Sequence, residues 1–270
     1  MPDAAMVRWV SPLENRIWLA QFKFDQGFID ALKQYTLRTP FYSVEYTRFI
    51  DPKVAFSLVV NAGYAGRAAI WLSARGESYL LGSEVGFEEP IADSEWRYFT
   101  PPSDFKDRNE AIMWSRLHMN KAGKQAYQNG TLDMSGKPWD RKMRRYNWNV
   151  IGGNYFKMTD FQGKFTNGEQ YYIYEEGGNR FRTQHAAPIW LHMIVQDRYQ
   201  HDHYERVHVN FDPEYIMKTF ERFTAKDPNT PLSLKVDIDK AMENITLTLY
   251  GPDYHEELKF IDATLLDLKR

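Results

Sequence analysis

Five of the seven histidines fall between His185 and His208. The segment QHDHYERVHVNF, residues 200–211, holds His201, His203 and His208, with Asp202 and Glu205 among them, and His192 lies just upstream. Imidazoles and carboxylates are ligands for zinc and also carriers of protons. Which of them can meet depends on the strands that carry them. Residues 189–211 read as a β-hairpin. Ile189, Leu191, Met193 and Val195 share one face of the first strand, and Val207, Val209 and Phe211 share one face of the second. Bringing the two apolar faces together centres the register near residue 200, with Met193 opposite Val207 and Leu191 opposite Val209. His192 then faces His208 on the other side of the hairpin, with Cβ atoms roughly 5 Å apart. His201 and His203 stay in the loop, on the order of 16 Å from His208 at ~3.3 Å per residue. The cluster therefore divides into a strand pair and a loop pair. His192 and His208 are candidate metal ligands. On the loop, Asp202 or Glu205 would have to complete a set with His201 and His203. Each group is short of the three protein ligands of a typical catalytic zinc site, and a polar hairpin accepts all these residues with no ligand at all.

Other chemistry finds less support. The chain has no cysteine, which excludes thiolate catalysis, Cys-ligated zinc and a disulfide framework. It has no Gly-x-Ser-x-Gly elbow. The Gly63-x-x-Gly66 segment lacks the Gly-Lys-Ser/Thr of a phosphate loop and a helix after it, so it reads as a hairpin turn. Glu88-Glu89 and Glu175-Glu176 are adjacent, and neighbours on a strand point to opposite faces.

One stretch does combine charge with rings. KPWDRKMRRYNWN, residues 137–149, carries five basic residues against one acid, with Trp139, Tyr146 and Trp148 interleaved. Cations neutralise phosphates and aromatic faces stack on unpaired bases. Lys137, Arg141, Lys142, Arg144 and Arg145 are the candidate phosphate contacts for single-stranded nucleic acid. Trp139, Tyr146 and Trp148 are the candidate stacking rings. The same pattern also arises from a strand with buried tryptophans and exposed arginines. Residues 104–145 hold ten basic and five acidic side chains, whereas the whole 270-residue chain has net charge −2. Such asymmetry points to an anionic partner for one region.

The elements that position these residues follow from periodicity and caps. Arg16–Phe24 reads as a strand, and Asp25 can cap a helix over residues 25–37. Val54–Val60, Ala68–Ser73 and Ser78–Leu81 read as strands, followed by a loop over Gly86–Pro102. A long helix over 107–129 stops at Gly130. Gln170–Glu175 and Arg180–His185 flank the turn Glu176-Gly177-Gly178-Asn179. Asp212-Pro213-Glu214 starts a helix over 213–223. Leu232–Ile238 and Ile245–Tyr250 alternate as a third hairpin. The fold class is α+β, with antiparallel, hairpin-rich sheets and about three helices. A single domain over 1–270 is expected, divisible into a mixed part, 1–135, and a β-rich part, 150–270. Aromatic residues reach 16 %, which suits strands and interfaces.

No apolar run approaches the ~18 residues that span a bilayer, and the N-terminus does not resemble a secretory signal. The expectation is a cytoplasmic, non-enzymatic binding protein without cofactor. Its partner would be single-stranded nucleic acid, on residues 137–148, or another protein, with self-association open. The alternatives are a structural or interaction protein, such as an assembly component or a protein inhibitor, and a metal-dependent hydrolase or nuclease around His192 and His208.

Overall fold

A computed structural model describes residues 3–11, 13–31, 56–74, 76–90, 108–153, 155–175, 184–198, 204–241 and 243–267. The protein is α+β with mostly antiparallel sheets. Its chain divides into two compact units: Met1–Arg38, Phe56–Leu72 and Leu80–Arg141 form one, and Thr39–Ala55, Ser73–Tyr79 and Lys142–Arg270 the other.

In the first unit, β1 (Ala4–Ser11) and β2 (Arg16–Lys23) form an antiparallel hairpin, and β6 (Phe87–Glu89) pairs with the other edge of β2. Helix α1, residues 26–31, follows Asp25, whose Oδ1 accepts from the Phe28 amide at 3.1 Å. Strands β5 (Glu77–Val85), β4 (Arg67–Ala74) and β3 (Ser57–Ala62) lie side by side in that order. Within β4, Ala68–Leu72 is buried without alternation, as its continuous apolar run requires. Ala20, Phe22, Phe24, Ile29, Ala68 and Ile70 form the core here, with Ala5, Val7, Trp9 and Leu81 against it. The β3–β4 turn demands glycine at Gly66, where φ is +72° and a Cβ would stand 2.7 Å from the Trp18 ring.

The single helix expected over 107–129 is two, α2 (Arg108–His118) and α3 (Lys121–Gln128). The break is a cap: the Asn120 side chain accepts from the Gly123 amide at 2.7 Å. Asn favours that position over a helix interior because its short side chain competes for backbone donors. Gly130, at φ +66°, follows as the expected stop. Helix α4 (Lys137–Met143) holds the start of the basic-aromatic stretch, with Pro138 in its first turn, where a missing amide costs nothing. Part of the 25–37 helix and most of Arg180–His185 lie outside the described residues. Among the described residues, five helical segments stand where about three were expected.

In the second unit, one sheet runs β15 (Asp262–Asp267), β11 (Tyr204–Asn210), β10 (Pro188–Asp197), β8 (Phe156–Phe165), β9 (Gln170–Glu175). Ser78, at the start of β5, adds to its edge opposite Gln170. A second sheet runs β14 (His255–Glu257), β13 (Ile245–Tyr250), β12 (Leu232–Ile238), β7 (Trp148–Gly152). Here β7 and β12 pair in parallel. Helix α5 (Pro213–Phe223) starts as its sequence directs: Asp212 Oδ1 accepts from the Tyr215 amide at 2.7 Å and Pro213 takes the first turn. Its Ile216, Met217, Phe220 and Phe223 are buried, as are Leu191, Met193, Val195, Val207 and Val209 of β10 and β11. Strand β8 was not foreseen. Thr159 and Gly163 occupy two of its buried positions, so its apolar alternation is broken in the sequence.

Candidate functional site

Strands β10 and β11 alternate buried and half-buried residues along their length. The buried set fills the core, so the other set forms an outer face. The observed register places Met193 opposite Val207, Leu191 opposite Val209 and His192 opposite His208. Those are the pairs that the apolar pattern requires. His192 Nδ1 and His208 Nε2 are 3.2 Å apart, with ring planes at 77°. One ring therefore donates to the other.

The surroundings of this pair are aromatic and basic. The Trp190 ring stacks on His192, with centroids 5.7 Å apart and planes within 9°, and meets His208 edge-on. Lys164 Nζ lies 4.8 Å above Trp190. Gln162 of β8 stands opposite His192, and Thr264 of β15 stands opposite His208. Arg206 and Tyr204 continue the face along β11, Tyr204 accepting from Gln196 at 2.9 Å. Burial pushes His192 down to about 4, helped by the nearby His208 and Arg206. Burial and then Arg206 lower His208 as well. Removing a ring from water penalises its charged form most, so the pair is neutral at neutral pH. Among the described residues there is no group of three or more His, Cys, Asp or Glu placed to hold a metal ion. His201 and His203 lie outside the described residues.

The 137–148 stretch is differently placed. In the first unit, Lys137 is exposed, while Trp139 and Arg141 are half-buried. The Trp139 ring lies against Gly63, where a Cβ would stand 2.9 Å from it, and its Nε1 donates to Ser83 Oγ at 3.4 Å. Asp140 takes two hydrogen bonds from Arg67, at 3.1 and 2.7 Å, and that guanidinium holds its carboxyl below the ordinary range.

In the second unit, Lys142 is exposed. Arg144 lies 5.1 Å over the Tyr146 ring and donates to Thr224 Oγ1. Arg145 donates to Glu169 Oε1 at 2.9 Å; that carboxylate is wholly enclosed and also accepts from Asn167 at 2.8 Å. Tyr146 and Trp148 are 1 % and 2 % exposed. Tyr146 packs on Phe220. Trp148 packs on Phe165, His185 and Phe220, and its Nε1 points to the His185 and Ala186 carbonyls at 3.2 and 3.3 Å. These two rings present no face to solvent. Basic residues interleaved with aromatics are also how a chain crosses from surface to core.

Two features escaped the sequence reading. His185 is buried, Tyr171 Oη lies 2.8 Å from its Nδ1, and its backbone exchanges two hydrogen bonds with Tyr146. Its only signal was that a histidine beside Ala186-Ala187 sits in an apolar stretch. Trp190, Lys164 and the histidine pair share a face only because β8 pairs with β10, and β8 was not legible. No protein-family model, curated protein or solved structure matches the chain.

Proposed function

We propose that this is a non-enzymatic binding protein for single-stranded nucleic acid, and that the ligand lies on the outer face of the β11-β10-β8 strands rather than along 137–148. The observation that carries this reading is the row Lys164, Trp190, His192, His208, in which a cation and three rings follow one another across three strands. Arg206 adds a second cation along β11. A sheet face that combines rings with cations supports stacking of unpaired bases and contact with their phosphates.

The test is fluorescence anisotropy with a labelled oligonucleotide at two salt concentrations. K164A and R206A are each expected to reduce the salt slope by about 1, and W190A to weaken binding by about 1–3 kcal/mol. K137A serves as the comparison and retains the affinity. Absence of binding at low salt, or equal losses in K137A and K164A, overturns the reading.

A second reading, that of an interaction protein, rests on β3. Its six residues are exposed throughout, and Leu58, Val59 and Val60 are 41 %, 47 % and 48 % exposed. Among the described residues β3 ends its strand order, and its sequence SLVVNA has no charge or proline to block pairing with a second copy. Light scattering on a size-exclusion column tests it: wild type associates and V59K does not. A monomeric wild type retires it.

A further inference from the structure

We infer that His192 and His208 together bind a borderline divalent metal ion such as zinc. Two imidazole nitrogens that are each roughly 2.05 Å from one zinc ion, at the tetrahedral angle, lie about 3.3 Å apart. Nδ1 of His192 and Nε2 of His208 are 3.2 Å apart without any metal, so closing the chelate requires ring reorientation but no movement of the strands. The backbone holds this spacing. The two residues are register partners, flanked on both sides by the fully buried pairs Leu191–Val209 and Met193–Val207. Trp190 stacks on one ring and meets the other edge-on, which keeps both rings on this part of the face.

The donor set selects the ion. Imidazole suits zinc, copper and nickel, while magnesium and calcium require oxygen ligands. The register neighbours Gln162 and Thr264 carry no charge that would attract a hard cation. One ring now donates an N–H to the other. On binding, that proton moves to the ring's other nitrogen and the freed lone pair turns to the metal, with no net proton release. Two imidazoles occupy half of a tetrahedral shell, and water completes it. The ion would place positive charge at the centre of the face, but the site does not depend on any nucleic-acid ligand.

The experiment uses untagged full-length protein, zinc chloride and no oligonucleotide. Titration against a chromogenic zinc chelator gives the affinity, and thermal melting with and without zinc reports site occupancy in the folded state. Wild type is expected to bind one zinc and to melt at higher temperature with zinc than without. H192Q and H208Q should each bind at least about tenfold more weakly and lose the thermal shift, whereas H255Q, at an exposed histidine of β14, keeps both. Copper in place of zinc should give an electron paramagnetic resonance spectrum with coupling to two nitrogens, reduced to one in either variant. Where a glutamine variant melts much lower without metal, the nitrogen count in the other variant decides. Absence of zinc binding in wild type overturns the inference. So does binding that survives in both variants, or that is lost only in H201Q or H203Q.

Discussion

Arg145 reaches Glu169, a carboxylate closed off from water, where Asn167 supplies a second donor. Removing one partner of such a pair leaves an uncompensated charge. R145M is therefore expected to cost about 3 kcal/mol in urea denaturation, whereas K142M, at an exposed neighbour, should stay within about 0.5 kcal/mol. Equal effects would mean that the pair contributes nothing beyond a surface charge. His192 makes a second prediction at this scale. The unfolded chain protonates it near 6.5, the folded protein only near 4. Between those values the unfolded state binds more protons, so stability is full above pH 6.5 and falls as the pH drops toward 4. Melting temperatures should fall less between pH 7 and pH 5 in H192Q than in wild type; parallel profiles would refute the assignment. The His192–His208 contact was legible in the sequence because alternation fixes which residues oppose each other. The fate of Arg144, Arg145, Tyr146 and Trp148 was not. Whether a ring that follows two arginines faces water depends on Phe165, Glu169, His185 and Phe220, none of them local.

At the scale of elements, α5 and the long helical region show what caps decide. Asp212 and Pro213 fix the start of α5 both in the sequence and in the structure, and D212A is expected to lower stability by about 1 kcal/mol in chemical denaturation. Asn120 makes the same kind of contact within what reads as one helix, and so divides α2 from α3. An Asn mid-pattern is an ambiguous signal, because a tolerated interior residue and a cap look alike until the chain turns. Strands β10, β11, β12 and β13 were legible because one face of each is packed and its pattern is strict. Strands β7 and β8 carry glycine, asparagine or threonine at several positions, and only their partners make them strands. Trp148 is an element-scale anchor, pinning β7 to α5 and to the Ala186 backbone. W148A should cost about 3–5 kcal/mol, measured by the same denaturation, and W139A distinctly less because its ring is half-exposed.

At the scale of the molecule, the two units are interleaved along the chain. The second includes Ser73–Tyr79 as well as Lys142–Arg270. Tyr79 of that short segment stacks on Tyr171 at 5.2 Å, and the neighbouring Glu77 accepts from the Tyr79 hydroxyl at 3.1 Å. A fragment beginning at Lys142 is thus expected to melt lower than the intact chain; equal melting would show the segment to be dispensable. No periodicity in the sequence announces that the end of β4 and the start of β5 belong to the second unit. The parallel β7–β12 pair has a kinetic meaning of its own. It joins Trp148 to Leu232, whereas the neighbouring β12–β13 hairpin closes over the few residues from Ile238 to Ile245. Loop closure is entropically cheap for the hairpin and expensive for the long crossing. Folding should therefore start from the hairpin and seat β7 late, so V236A slows refolding while V150A chiefly speeds unfolding. A growing chain emerging from its N-terminus would have to hold β7 unpaired until the whole of β8 to β12 had followed it.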